Sequence, residues 1–137
     1  MKNNDAGGMI QKMKIDTDGI IQKMEIAAGG IVYKKEKSDQ VVWLICKHSY
    51  HKGWVFPKGL IGDIHNSESI EEAALREVQE EGGVRTKIIR KIPGTVNYTY
   101  IFNNERISKK VHFFLMEYVS GNPDDHDWEM EDALFAD

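Results

Sequence analysis

Between Ser69 and Glu81 the chain runs through strong helix formers with neither proline nor internal glycine, and the spacing of its apolar positions predicts one helix. Ser69 with Glu72 three residues on has the form of a capping box, and Gly82-Gly83 supplies a left-handed stop. At about 100° per residue, Ile70, Ala74, Glu77 and Glu81 fall on one stripe with Ala73 and Glu80 beside it. Leu75 and Val78 widen that face, while Glu72 and Gln79 point the other way. Strand character is read at residues 25–34, 41–47, 84–92, 96–102, 107–120 and 133–135, with a hairpin turn at Asn103-Asn104-Glu105-Arg106. One long helix among several strands predicts a mixed α/β domain. Residues 1–22 are polar and glycine-dotted and read as a flexible tail, which leaves 23–137 as a single domain. Ile10-Gln11-Lys12-Met13 recurs as Ile21-Gln22-Lys23-Met24, an echo too short and too closely spaced for a repeat fold.

The helix carries the chemistry. Like charges three and four residues apart destabilise an isolated helix, so Glu77, Glu80 and Glu81 need solvent, a basic partner or a metal ion. A solvated face would set them opposite the apolar stripe. Here they continue it, which favours a partly buried cation site. Arg76, one turn before Glu80, is placed to orient that carboxylate. Carboxylates without a nearby cysteine or paired histidines suit magnesium, with manganese as the other choice. His48 and His51 lack further zinc-type ligands and read as solvated loop residues.

Gly62, five residues, Glu68, seven residues, then Arg76-Glu77-Val78-Gln79-Glu80-Glu81-Gly82-Gly83-Val84 matches every fixed position of the Nudix box, and the chain resembles a Nudix hydrolase over roughly residues 25–135. Ala28-Gly29-Gly30 and Trp54-Val55-Phe56-Pro57-Lys58-Gly59 agree with that family. The resemblance implies a Nudix α/β/α sandwich with a mixed sheet and a central helix. It also implies that Glu77, Glu80 and Glu81 hold one or more divalent ions, with one carboxylate able to take a proton from water. Eight residues separate Gly59 from Glu68 where the pattern has five, so residues 60–67 read as a lengthened loop. Either Gly59 or Gly62 then gives its carbonyl to the metal; Gly59 is preferred for its Phe-Pro-Lys context. Ala133-Leu134-Phe135 resembles the last strand, so the C-terminal helix is expected to be short or missing.

The family's catalytic base comes either from the box or from a later loop, where Glu129 is the outside candidate and a solvated acidic loop is the preferred reading. Glu68 is expected to brace the loop before the helix. The lead-in ending at Lys58 is similar to that of diadenosine polyphosphate hydrolases, which makes dinucleoside polyphosphates the favoured substrates and Lys58 a phosphate contact. Nucleoside triphosphates, the RNA 5′ end and a non-catalytic nucleotide-binding module are the alternatives. Tyr98, Tyr100 and Phe102 alternate on one strand; Tyr100 is a candidate base-stacking residue, although period-two aromatics are more often core.

Composition narrows the field. With 137 residues and 41% hydrophobic content the chain can bury a real core. A formal net charge of −4 disfavours a DNA-coating or polybasic membrane-binding role and leaves a small nucleotide as the expected partner. Cys46, the only cysteine, lies in an apolar run and reads as a buried structural thiol. Without an apolar leader or a membrane-length run, the expected compartment is the cytoplasm.

Overall fold

The computed structural model describes residues 10–15, 18–62 and 67–137. Nine strands form one hydrogen-bonded sheet network: β1 (Ile10–Ile15), β2 (Ile21–Lys35), β3 (Val41–His48), β4 (Trp54–Val55), β5 (Lys58–Leu60), β6 (Val84–Lys91), β7 (Val96–Phe102), β8 (Glu105–Gly121) and β9 (Met130–Ala136). The long strands β2 and β8 run parallel from Ile21↔Glu105 to Tyr33↔Glu117. All the other pairings are antiparallel, with β1, β3 and β5 on β2, β6 and β7 on β8, and β4 and β9 on β3. The sheet is therefore mixed, as expected.

Helix α1 (Ile70–Gly82) begins and ends where the sequence signals stand. The Glu72 N–H donates to Ser69 Oγ at 3.0 Å and the Ser69 N–H donates to Glu72 Oε1 at 2.9 Å, closing the capping box. Gly83 takes the left-handed conformation at φ 75° and donates its N–H to Gln79 O. Ala73, Ala74 and Val78 meet Ala28, Val32, Leu44, Phe114 and Met116 in the main core.

The glycine pair in the middle of β2 has a steric reason. A Cβ on Gly29 would lie 2.3 Å from Pro57 O, where β5 approaches, and one on Gly30 would lie 2.6 Å from Met116 Sδ and 2.7 Å from Val78 Cγ2. Small residues on both faces thus let the helix and the β5 strand close on β2 together.

Two expectations need correction. Residues 10–15, assigned to a flexible tail, form β1 and pair with β2; the two echoing segments are neighbouring strands. Residues 1–9, 16–17 and 63–66 lie outside the described residues, and with them part of the tail and of the lengthened loop. Tyr98, Tyr100 and Phe102 are not core: the whole of β7 is exposed, because it pairs with β8 alone among the described strands and no described layer covers it. The mixed sheet with its one α-helix is the expected α/β architecture; the described elements are the nine strands, α1 and a 3-10 turn at Pro123–Asp125. No helix among them is long and apolar enough to cross a membrane.

Overpacking at Gly30 should be felt at once. Gly30→Ala is expected to destabilise the fold by about 1–3 kcal/mol, read as a lowered urea midpoint at unchanged slope; an unshifted midpoint would mean that Met116 and Val78 give way freely.

Candidate active site

Burial turns the helix stripe into a site. Glu77 is 2% and Glu81 6% exposed, while Glu72 and Gln79 on the opposite side are exposed. Leaving two carboxylates out of water costs several kcal/mol per charge unless they are compensated, and the compensation is visible around them. Arg76 Nη1 donates to Glu77 Oε2 at 2.8 Å and to Glu80 Oε1 at 3.2 Å. Its Nε and Nη2 hold Glu68 at 2.6 and 2.9 Å, and Nη2 also donates to Leu60 O at 3.2 Å. These contacts, the Glu68 hydrogen bond first, raise the Arg76 pKa further, against desolvation by burial.

Glu68 completes the bracing. Its Oε1 accepts the N–H of Gly62, whose φ of 74° is the left-handed conformation that favours glycine. Arg76 and Glu68 together tie the helix to the end of β5. The expected pairing of Arg76 with Glu80 is present, but Glu68 is its stronger partner.

Glu77 and Glu81 line a cavity of about 280 Å³ together with Lys58, Gly59, Leu60, Val55, His48, His51, Lys109, Glu129 and Met130. Gly59 is fitted against Glu77: a Cβ there would lie 2.1 Å from the carboxyl carbon. The Lys58 N–H donates to Glu81 Oε1 at 3.1 Å. Of the two glycines in question, Gly59 therefore stands at the carboxylates, and Gly62 forms the turn behind them. Burial pushes the Glu81 carboxyl up to about 8, with Glu77 and Glu129 adding to the rise and the Lys58 amide opposing it.

This donor set fits a hard divalent cation. Buried oxygen donors meet at a glycine backbone, and a positive charge is what Glu81 lacks in order to ionise. Among the described residues no three His, Cys, Asp or Glu side chains are grouped so as to hold a metal ion by themselves. A partial protein shell completed by water and phosphate is the usual form for magnesium. Glu80 does not line the cavity; its side chain is 35% exposed and rests on Arg76.

Lys58 lies on the cavity wall. Tyr100 does not: it stacks with Tyr98 at 6.1 Å between ring centroids, on β7 beside the cavity, with Lys109 Nζ 5.9 Å from its ring centroid. Lys109 also pairs with Glu25 at 3.6 Å. Cys46 is buried with its thiol pushed up to about 12, chiefly by burial, and its Sγ donates to Glu81 O at 3.5 Å, a structural role.

Glu129, expected in a solvated acidic loop, stands half-buried on the cavity wall, and the loop histidines, His48 half-buried and His51 exposed as expected, border the same cavity. The Glu129 loop is pinned there by backbone contacts, with Asp127 N–H donating to Glu80 O at 2.8 Å and Ser49 N–H to Glu129 O at 3.0 Å. Such contacts leave no mark in residue type. Lys109 was not among the expected site residues; its one signal in the chain is a lysine alternating with the buried Ile107 and Val111 on β8.

The comparisons with known proteins agree with this geometry. The NUDIX domain pattern matches residues 23–136. The chain is 34% identical to a protein of Mycobacterium tuberculosis provisionally named mutator protein MutT4, over 61% of this chain and 32% of that one. It is 33% identical to a Bacillus subtilis protein provisionally named 8-oxo-dGTP diphosphatase YtkD, over 60% of this chain and 48% of that one. It thus spans between about a third and a half of the length of these two relatives. Among solved structures, a NUDIX hydrolase from Nitrosomonas europaea superposes with a TM-score of 0.62 at 20% identity, covering 83% of this chain and 72% of that one, which speaks for the fold. With the family pattern spanning nearly the whole domain and Glu77 and Glu81 of the box at one cavity, the chain belongs to the Nudix hydrolase family.

Proposed function

We propose that the protein hydrolyses a pyrophosphate linkage in a nucleoside diphosphate joined to another moiety, using a divalent cation, magnesium or manganese. The observation that carries the reading is the burial of Glu77 and Glu81 against Gly59 on the wall of a cavity that also presents Lys58 and Lys109. Glu77, Glu81 and the Gly59 carbonyl would hold the cation. Of the Arg76 contacts to box carboxylates, that to Glu80 is the longer, so Glu80 is the side chain a cation draws in at least loss. A bound cation supplies charge neutralisation at the phosphate oxygens and acidifies the attacking water.

The chain's own residues supply the rest. Lys58 and Lys109 bring positive charge to the phosphate chain. Arg76 keeps Glu77 in place through chemistry that moves charge at the neighbouring phosphate. Glu129 is the cavity carboxylate outside the helix, and we assign it the proton of the attacking water. Water oxygen bonds to phosphorus, the bridging oxygen leaves with the second phosphate, and the proton passes to the Glu129 carboxylate.

Dinucleoside polyphosphates are the favoured substrates, supported by the Trp54 to Gly59 lead-in. Nucleoside triphosphates are the second reading, supported by the names of the two relatives.

Product analysis separates these. Incubation with diadenosine tetraphosphate, a nucleoside triphosphate and ADP-ribose, with and without magnesium, is expected to give magnesium-dependent asymmetric cleavage of the first to ATP and AMP. Pyrophosphate release from the triphosphate alone would select the second reading, and tight nucleotide binding without products would indicate a regulatory module. Glu81→Gln should abolish turnover with the fold intact, and Glu129→Gln should lower kcat by roughly 10²–10⁴ with little change in KM. A folded Glu81→Gln enzyme of undiminished rate would refute the assignment.

The pH dependence has a definite sign. The Glu81 carboxyl binds its proton more tightly in the folded chain, at about 8 against 4.5 when free, so its contribution to stability is full below the lower value and is lost as pH rises through the upper one. In chelator, the unfolding free energy read from urea melts should therefore fall between about pH 5 and about pH 8, by at most about 1.4 kcal/mol per pH unit. Glu81→Gln should flatten that decline; a wild-type value that does not fall would contradict the burial.

A further inference from the structure

The loop joining β3 to β4 places two imidazoles at the cavity, and both are held by their own backbone. Tyr50 N–H donates to His48 Nδ1 at 3.1 Å and Gly53 N–H donates to His51 Nδ1 at 3.0 Å. The rings stack, 4.2 Å between centroids and 11° from parallel. Gly53 is required for this seat, since a Cβ there would lie 2.9 Å from His51 Nδ1. The loop itself is anchored, with Ser49 Oγ donating to Trp128 O at 3.0 Å and Lys52 paired with Glu131.

An accepting Nδ1 leaves the proton of a neutral imidazole on Nε2. Each ring therefore offers one N–H donor, on a cavity wall shared with Lys58 and Lys109. The acidic groups of the cavity, Glu77, Glu81 and Glu129, are those already assigned to the cation and the proton. A volume of about 280 Å³ lies at the small end of ligand pockets, roughly 300–1,000 Å³, and suits a phosphate chain with its nucleosides outside.

We propose that His48 and His51 form a binding site for the phosphate group that follows the cleaved diphosphate, so that the cavity measures the length of a polyphosphate chain. The inference rests on the reading of the cavity as a pyrophosphate-cleaving site. Two preset neutral donors favour an anion over a nucleobase, and their rigid seating limits the ordering cost of binding. A chain of three or more phosphates reaches the pair; a chain of two ends before it.

The test is binding of methylene-bridged analogues of inorganic diphosphate and triphosphate, measured by calorimetry with magnesium on the wild type, His51→Ala and Gly53→Ala. His51 is exposed, so its removal leaves the core untouched, and Gly53→Ala displaces the ring without deleting it. Each variant is expected to lose about tenfold in triphosphate affinity, the scale of a hydrogen bond to a charged group, and less than twofold for diphosphate. Equal losses for both analogues, or none, would overturn the pair while leaving the nucleotide assays to stand. Selective loss in a protein that cleaves no nucleotide would keep the pair as a polyphosphate site and remove the hydrolase reading.

Discussion

Two carboxyl groups, Glu77 and Glu81, are buried on a helix face that would otherwise be apolar, and Arg76 offsets the charge of the first while burial holds the second toward its protonated form. Arg76 reaches Glu77, Glu80 and Glu68 at once, and Glu68 holds the turn at Gly62. Removing one partner from such a network leaves a buried charge uncompensated, a loss of about 3–5 kcal/mol in comparable buried pairs. The helix, the end of β5 and the loop between them are thus one electrostatic unit.

Packing sets that unit against the sheet. Gly29 admits the Pro57–Lys58 backbone to one face of β2, and Gly30 admits Val78 and Met116 to the other. Gly59 then comes directly against Glu77, where any side chain would collide with the carboxylate. Three glycines therefore fix the distance between the backbone at Gly59 and the helix carboxylates, which is the dimension a small cation would sense.

The helix was legible nearly to the residue, because its caps and its stripe are local signals: Ser69, Glu72 and Gly83 cap it, and Glu77 and Glu81 are buried with Ala74 as their spacing requires. Most strands were legible for the same reason, and the positive φ values at Asn103 and Asn104 match the hairpin read there. Reading failed where burial depends on a partner distant in sequence. The alternation of Tyr98, Tyr100 and Phe102 is equally good for a covered or a bare strand, and only the absence of a described layer over β7 decides it. Likewise nothing local tells His48, His51 or Glu129 from solvated loop residues; the pairing of β3 with β4 and β9 brings them to the cavity.

Binding of manganese to the purified protein, followed by the loss of the free-ion signal in electron paramagnetic resonance, tests the central claim without depending on any substrate. The wild type is expected to bind manganese, and Glu77→Gln and Glu81→Gln, each still folded, to bind it at least about tenfold more weakly. Equal binding by all three proteins would mean that the buried carboxylates are not a cation site.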